Sequence, residues 1–371
     1  MARKKQDTNV SAGELRKPRT RRPVRMDIRT VAARANVSIA TVSRTINHLP
    51  TVDPTLAKRV WKAIEELNYF PNTQARALVS GKSHILGLIV SEITNPFFPE
   101  LIQRFEESAV EAGYEILITS TNYDPKRMAS CVRRMIERKV DGVAVMTFGI
   151  EEPLLDQLAK QKIPLVYVDS RPRAPETMTL NVEYGRGIWQ GVQHLAVLGH
   201  RKIAFISGPL TLHTAQLRKD AFLHSLKQIG IAPNGSWLIG GDHTLEGGMR
   251  ATLKLLKLDN LPTAILCSND MTAIGVMHAA FDAGLRVPED LSVIGFDDIH
   301  LAEFMYPPLT TIRMSCRDLA QGAVNILISR VDEHARATGK GHLTIPTELI
   351  VRRTTGIPRN ALEDLPKPLR N

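Results

Sequence analysis

Residues 28–47, IRTVAARANVSIATVSRTIN, decide how the first part of this chain folds. Ile28, Val31, Ala32 and Ala35 recur at helical spacing, so Ile28 to Ala35 reads as a short amphipathic helix. Asn36 and Val37 form a turn, where the chain often needs positive φ and Asn tolerates it better than most side chains. Ser38 is a good N-cap, and Ile39 to Asn47 then reads as a second helix. Val42 and Ile46 give that helix a packing side, while Thr41, Ser43, Arg44 and Asn47 give it a side that can face base edges and phosphates. The segment is a helix-turn-helix. A third helix is expected to start at Asp53, an N-cap with Pro54 at the first helical position, and to run to about Asn68 with Val60, Ile64 and Leu67 facing inward.

Beyond Ser80-Gly81-Lys82-Ser83, a short polar linker, the pattern changes to strands alternating with helices. Strands are predicted over Ile85 to Val90, Tyr114 to Ser120, Gly142 to Met146, Leu165 to Asp169, Lys202 to Ser207, Thr263 to Cys267 and Leu291 to Phe296. Helices are predicted over Pro99 to Ala112 and Met128 to Arg138. Short apolar strands separated by helices argue for parallel sheets covered on both faces. The strands are too many for one compact sheet, so two doubly wound lobes with a cleft between them are expected. Ligands bind such sheets off the carboxyl ends of the strands. Ser91 and Asn95 follow the first strand, Asp169 ends another, and Asn269-Asp270 and Asp297-Asp298 follow two more. Phe98 starts the helix after the first strand, and Arg218 opens the helix after the Gly208-Pro209 loop.

The chain has 371 residues with 43% hydrophobic and 5% aromatic side chains, enough for a small headpiece and a large two-lobed body. No run of about 18 apolar residues appears, so no transmembrane helix is expected, and residues 1–25 contain no apolar stretch resembling a secretion signal. Cys131, Cys267 and Cys316 are scattered and odd in number; they read as reduced core residues of a cytoplasmic protein, with no disulfide framework and no metal site. The net charge of +10 is uneven: residues 1–25 hold nine Lys or Arg against two acids, leaving +3 for everything else. This segment is either a flexible basic arm adding non-specific phosphate attraction, or a solvated tail, or a start placed upstream of the native one at Met26. No cofactor is expected: Gly185-Arg186-Gly187 with Gly191 does not match the dinucleotide fingerprint, no phosphate loop or nucleophile elbow is present, and His194 and His200 lack the further ligands of a metal site.

VAARANVSIATVSRTIN, followed by ELNYFPN and ARAL, resembles the DNA-binding headpiece and hinge of the lactose-repressor (LacI/GalR) family. NPFF at 95–98, HLAVLGHRKIAFISGP at 194–209, SNDMTAIG at 268–275, GLRVPEDLSVIGFDD at 284–298 and PPLTTIR at 307–313 resemble the effector-binding domain of the same family, which is like periplasmic sugar-binding proteins. The resemblance implies that Ile39, Ala40 and Arg44 read base edges, with Arg44 able to pair bidentately with guanine. It implies phosphate contacts from Ser38, Thr41, Ser43, Asn47, Tyr69 and Asn72, and a hinge helix over Asn72 to Val79 with Leu78 as a minor-groove wedge. In the body it implies that Phe98 stacks on the effector, that Arg218 and Asp297 hydrogen-bond it, and that Asn269 and Asp169 line the pocket. Ser91 and Asn95 join them by position. His243 is a pocket candidate where relatives often carry an aromatic residue, and its alternative is a surface loop histidine. Asn269-Asp270 could equally cap the following helix, and Asp169 could be a solvated strand end.

The expected organisation is a basic arm at 1–25, a helix-turn-helix domain at 26–71, a hinge helix and linker at 72–83, a two-lobed effector-binding and dimerisation domain at 84–356 and a tail at 357–371. The expected function is that of a cytoplasmic homodimeric transcriptional regulator, a repressor that binds palindromic operator DNA and responds to a small, sugar-like effector. It is not expected to be an enzyme or to touch a membrane. The alternatives are a sugar-binding transport protein and a sugar-acting enzyme.

Overall fold

The computed structural model describes residues 27–47, 49–70, 81–147, 157–158, 160–169, 177–331 and 342–359. The chain divides into two compact units, residues 1–81 and 82–371. The basic arm, the hinge segment carrying Asn72 and Leu78, and most of the tail lie outside the described residues.

In the first unit, α1 spans Ile28–Ala35, α2 Ile39–Ile46 and α3 Pro54–Glu66. Each begins on a side-chain cap. The Asp27 carboxylate accepts Thr30 N at 2.9 Å, Ser38 Oγ accepts Thr41 N at 3.1 Å, and Asp53 accepts Thr55 N at 2.9 Å, satisfying N–H groups that have no partner within the helix. Asn36 ends α1 at φ 51°, the left-handed turn expected of it. α2 and α3 end slightly earlier than the periodicity suggests, at Ile46 and Glu66, since Asn47 and Leu67 serve as C-caps and Asn68 turns left-handed at φ 45°. Val31, Ala32, Ala35, Val42, Ile46, Val60 and Ala63 form a small core, with Ile64, Leu67 and Tyr69 packed on it. Arg59 closes the arrangement from α3: its Nη2 donates to Ala35 O at 2.6 Å and Asn36 O at 3.0 Å, fixing the turn between α1 and α2.

The second unit is an α/β body. Its strands are β1 Ile85–Val90, β2 Glu115–Ser120, β3 Gly142–Met146, β4 Leu165–Val168, β5 Thr177–Glu183, β6 Ile203–Ser207, β7 Leu238–Gly240, β8 Ala264–Cys267, β9 Ser292–Asp297, β10 Thr310–Met314 and β11 His342–Ile350. Its helices are α4 Phe97–Glu111, α5 Pro125–Glu137, α6 Tyr184–Val197, α7 His213–Ile229, α8 Leu245–Leu255, α9 Asp270–Asp282, α10 His300–Phe304 and α11 Cys316–Val331. Along β1, Leu86, Leu88 and Val90 enter one core and Ile89 another; along β3, Ala144 and Met146 enter the first and Val143 and Val145 the second. Side chains alternate across a strand, so this division means that both faces of the sheet are covered, as a doubly wound lobe requires.

The two lobes are not two separate sheets. The strand order is β2-β1-β3-β4-β5-β11-β10-β9-β8-β6-β7, with β11 shared. Residues 342–346 of β11 pair parallel with β5, and residues 347–350 pair antiparallel with β10. Pro346 sits at the changeover, where an absent N–H leaves no ladder bond unmade. Every other pairing is parallel. The carboxyl ends of β6, β7, β8 and β9 therefore open at one edge of the second lobe, which carries Asn269, Asp270, Asp297 and Asp298, while Ser91, Asn95 and Asp169 follow strands of the first lobe.

Candidate functional site

On α2, the apolar spacing turns Val42 and Ile46 inward and leaves Ser38, Ile39, Ala40 and Arg44 exposed, with Thr41, Ser43 and Asn47 half-buried. Ile39 is 46% exposed at the head of a polar helix face, an unusual place to leave a large aliphatic side chain in water unless it meets an apolar group such as a thymine methyl. Ser38 and Thr41 have structural work as well, since their hydroxyls lie 2.9 Å apart around the cap. Tyr69 packs on the small core, and burial of its ring pushes the phenol above its ordinary value. The sequence reading missed Arg59, because its contact with α1 spans 24 residues and leaves no local periodic signature.

In the body, Arg218 is at the centre. It lies in the second turn of α7, a correction to its expected place at the helix opening, since α7 begins at His213. The side chain is buried, its guanidinium carbon 4.1 Å from the centre of the Phe296 ring and 4.9 Å from that of Tyr184. Two aromatic faces cover the cation. Its Nη1 donates to Ser268 O, and its Nη2 stands 3.8 Å from Asp297 Oδ1, which is an ion pair but not a hydrogen bond. The guanidinium edge is thus the part left to engage a ligand, and its Nε has no hydrogen-bond partner.

Asp169 joins through Tyr184: its Oδ2 accepts the Tyr184 hydroxyl at 2.6 Å and its Oδ1 accepts Val182 N at 2.7 Å. The solvated-strand-end alternative is thereby disfavoured. Asn269 is the N-cap of α9, its Oδ1 accepting Thr272 N at 3.0 Å while its Nδ2 donates to His243 O at 2.9 Å. Its capping role is therefore real, and the same amide holds the His243 loop. His243 stands against Gly208, where an added Cβ would overlap the imidazole. The ring Nε2 is sealed and unpartnered, and burial together with the Arg218 charge pushes the imidazole down to about 3, keeping it neutral. A surface-loop histidine would not behave in this way.

On the first lobe, Ser91 Oγ donates to Thr147 Oγ1 at 2.9 Å, Asn95 Oδ1 accepts Phe97 N at 3.1 Å, and Phe98 is buried edge-to-face against Phe97 with ring centres 5.4 Å apart. Asn95 thus shapes the start of α4. The two lobes meet where Glu100 Oε1 accepts His300 N at 2.7 Å, two residues beyond Asp298.

Electrostatically the recess is poised between charge states. Burial lifts the Asp297 carboxyl to about 7, opposed by Arg218 and reinforced by Glu100. Burial and Asp297 push the neighbouring Asp270 well above the usual carboxylate range; its carboxylate accepts Ile299 N at 2.9 Å and the Thr311 hydroxyl at 2.5 Å. Thr214 Oγ1 and Ser268 Oγ are buried without partners in the same lobe as the Arg218 Nε and His243 Nε2 orphans. A buried polar atom without a partner costs about 1–3 kcal/mol, so these groups are open to a further hydrogen bond from water or a ligand. Asp169, His243, Asp297 and Asp298 all have left-handed backbones, with φ of 55°, 64°, 115° and 57°. Non-glycine residues pay conformational energy there and cluster at binding sites. Nothing in the linear pattern signals those dihedrals, or the parts played by Tyr184, Phe296, Thr214 and Ser268. Among the described residues, no group of three or more His, Cys, Asp or Glu is arranged to hold a metal ion, and no helix is long and apolar enough to cross a membrane.

Comparison with known proteins finds matches in two segments of the chain. Residues 27–72 match the model of bacterial regulatory proteins of the lacI family, and residues 192–355 match a periplasmic binding protein-like domain. The chain is 34% identical over 329 residues to an HTH-type transcriptional repressor PurR of Aliivibrio salmonicida (strain LFI1238), spanning 88% of this chain and 99% of that one. Among solved structures it is similar to the lac repressor dimer bound to operator and the anti-inducer ONPF, with a TM-score of 0.79 and 28% identity over 89% of this chain and 99% of that one. It is also similar to the complex of the transcriptional regulator CelR with cellobiose, with a TM-score of 0.67 and 26% identity over 89% of this chain and the whole of the other.

Proposed function

This chain belongs to the lacI family of bacterial regulatory proteins, and we propose that it binds a palindromic operator as a homodimer and is switched by a small polar effector held around Arg218. It is a DNA-binding transcriptional regulator of the repressor class, and not an enzyme. The observation that carries the switch is the recess itself: a buried guanidinium with a free edge, a carboxyl near neutrality and several orphaned polar atoms, all at the carboxyl ends of parallel strands. Such a set suits a polyhydroxylated ligand, because the carboxylate accepts hydroxyl donors and the guanidinium edge donates to ring or hydroxyl oxygens. Ser91, Asn95, Phe98, Asp169, Arg218, His243, Asn269 and Asp297 are its proposed lining. A sugar or sugar derivative is the proposed effector class, in line with the cellobiose held by the CelR relative.

The expected division of the chain, with a 1–25 arm, a 26–71 reader, a 72–83 hinge, an 84–356 body and a 357–371 tail, stands as part of this proposal. So does a cytoplasmic location, where the DNA of a bacterium is. Two half-site readers are required for two symmetric half-sites. The second lobe leaves Phe281, Phe304 and Tyr306 respectively 79%, 67% and 98% exposed, apolar surface of the kind that a partner subunit covers. Selection from a random duplex pool with the full chain should return an inverted repeat, and failure to enrich any sequence would sink the reading.

Base recognition gives a sharper test. Ser38, Ile39, Ala40, Thr41, Ser43, Arg44 and Asn47 are the proposed contacts of α2, with Tyr69 beside them and Asn72 and Leu78 in the segment that follows. Arg44 is the residue among them able to grip one base with two hydrogen bonds. Arg44→Ala is expected to lose about 1–3 kcal/mol of discrimination at one position of each half-site while leaving random-duplex binding nearly unchanged. A uniform loss on all sequences would make Arg44 a phosphate contact instead.

A further inference from the structure

The amino-terminal edge of the first lobe carries a row of cations that the helix-turn-helix does not account for. Arg138 and Lys139 follow α5, while Lys160 ends a short helical segment and Lys162 lies in the turn that leads from it to β4. All four side chains are exposed, and no acidic residue forms an ion pair with any of them among the described residues. Strand pairing sets them at one end of the sheet. β3 and β4 run parallel with Val143 opposite Leu165, and Lys139 and Lys162 lie four and three residues upstream of that pair. β1 and β3 run parallel with Leu86 opposite Gly142, so Ser83 enters at the same amino-terminal end.

Ser83 is where the chain enters the body from the segment that leads to the DNA reader. The join is fastened to this same edge: the Asp141 carboxylate accepts Ser83 N at 2.8 Å, Ser83 Oγ at 3.0 Å and His84 N at 2.8 Å. The Asp141 carboxylate is thereby turned to the donors of the join and forms no ion pair with the row, although its charge still offsets part of it. Glu137 and Glu115 lie on the same edge and are exposed, reducing the positive potential without cancelling it. Lys139 and Lys162 both hold left-handed backbones, φ 51° and 57°, at helix ends.

We propose that Arg138, Lys139, Lys160 and Lys162 form a second, sequence-independent DNA contact, engaging backbone phosphates of the duplex that the helix-turn-helix holds. The proposal rests on the DNA-binding function of the chain. Any duplex bound by the reader is tethered to this edge through residues 71–82, a span of at most about 40 Å when fully extended. Within that reach a row of cations acts by releasing condensed counterions, which adds affinity without adding sequence preference.

The experiment compares four full-length proteins on an operator recovered by selection and on random duplex of the same length. These are the wild type, a rim variant with Arg138, Lys139, Lys160 and Lys162 each changed to Gln, a control with Lys219, Lys227, Lys254 and Lys257 of the second lobe changed to Gln, and a charge-keeping variant with Lys139 and Lys162 changed to Arg. The slope of log K against log salt should be shallower for the rim variant by about 2–4, near 0.9 for each phosphate no longer engaged, on both duplexes, with the ratio of operator to random binding unchanged. The control should keep the wild-type slope. Lys139→Arg with Lys162→Arg should also keep it, which separates charge from any defect in folding. A rim slope equal to that of the wild type or of the control would overturn the contact, leaving the row as cations that face helix ends or an acidic protein. A wild type with no DNA binding at all would instead overturn the functional reading beneath it.

Discussion

Gly275→Ala is expected to lower the melting temperature of the body by about 6–12 °C. Gly275 lies in α9 against α8, and an added Cβ would overlap the carbonyl oxygen of Leu245 and crowd Met249 N. The obstacle is backbone, which cannot rotate away as a side chain tip would. Gly248 on α8 makes the reciprocal approach, its missing Cβ leaving space for Thr272 O. The two helices therefore touch through glycines, and prying them apart disturbs Asn269 and Thr272 at the head of α9, which also hold the His243 loop. Overpacking usually costs about 1–3 kcal/mol; with backbone on the far side the upper end or above is expected, and each kcal/mol moves the midpoint of a chain of this size by about 2–4 °C. Gly185→Ala is the control, since nothing lies near its missing Cβ and alanine is the better helix former by about 1 kcal/mol. Calorimetry on both proteins checks this, and a Gly275→Ala protein that melts with the wild type would mean that α8 and α9 are not held as described.

Much of this was legible in the sequence, for a physical reason that differs from place to place. The headpiece reads well because its helices are short, amphipathic and capped, so Asp27, Ser38, Asn36 and Asp53 mark the ends where they fall. β1 and β3 were found to the residue because they are continuous apolar runs buried on both faces. β5, β7, β10 and β11 were not. β7 has three residues, β10 is Thr-rich, and β11 contains a proline and changes partners halfway along. A strand that pairs into both lobes has no single local pattern, so the sharing of β11 between the two expected lobes was not legible. Of the proposed site, Asp169, Asn269 and Asp297 were visible as polar residues at or beyond strand ends and Arg218 by its helix after the Gly208-Pro209 loop, whereas His243 came only from the family resemblance. The aromatic pair that encloses Arg218 was not, because Phe296 and Tyr184 look like ordinary core residues until α6 and β9 are brought together.

Asp297→Asn should abolish the response to effector while leaving effector-free operator binding near the wild-type level. Asparagine keeps the volume and can still face Arg218, but it cannot become an anion, so a hydroxylated ligand loses a charged acceptor in a desolvated recess, a loss of about 1.5–3 kcal/mol. The substitution also carries a signature that needs no ligand. The Asp297 carboxyl is held at about 7 in the folded protein, against an ordinary value near 3.8. Between those two values the folded chain keeps a proton that the unfolded chain has released. Stability must then fall as pH rises from about 4 to about 7, and level off above that. In the Asn protein this contribution is absent, so the difference in melting temperature between wild type and Asp297→Asn should drift in the Asn protein's favour from pH 5 to pH 8. Taking the difference cancels His200 and the other buried groups that do not feel Asp297, while Asp270, which Asp297 helps to push up, relaxes downward in the Asn protein and adds to the drift in the same direction. A difference that is flat with pH would mean that the carboxyl is already ionised at pH 5. For the switch, operator titrations are run on both proteins with and without a compound taken from a thermal-shift screen of monosaccharides, disaccharides, sugar phosphates and purines. A ligand moves an equilibrium only by its differential affinity for the two lobe arrangements, and that coupling is reciprocal, so operator DNA must change effector affinity by the same factor. Asp297 stands at the end of β9, next to Asp298, whose carboxylate is held by Arg313 of β10 at 2.7 Å and by Arg352 at 2.7 Å. Arg313 reaches on to Glu348 of β11 at 3.2 Å. A ligand that engages Asp297 therefore pulls on a backbone tied directly to the strand that both lobes share, which is the route by which filling the recess can bias the lobes and through them the reader.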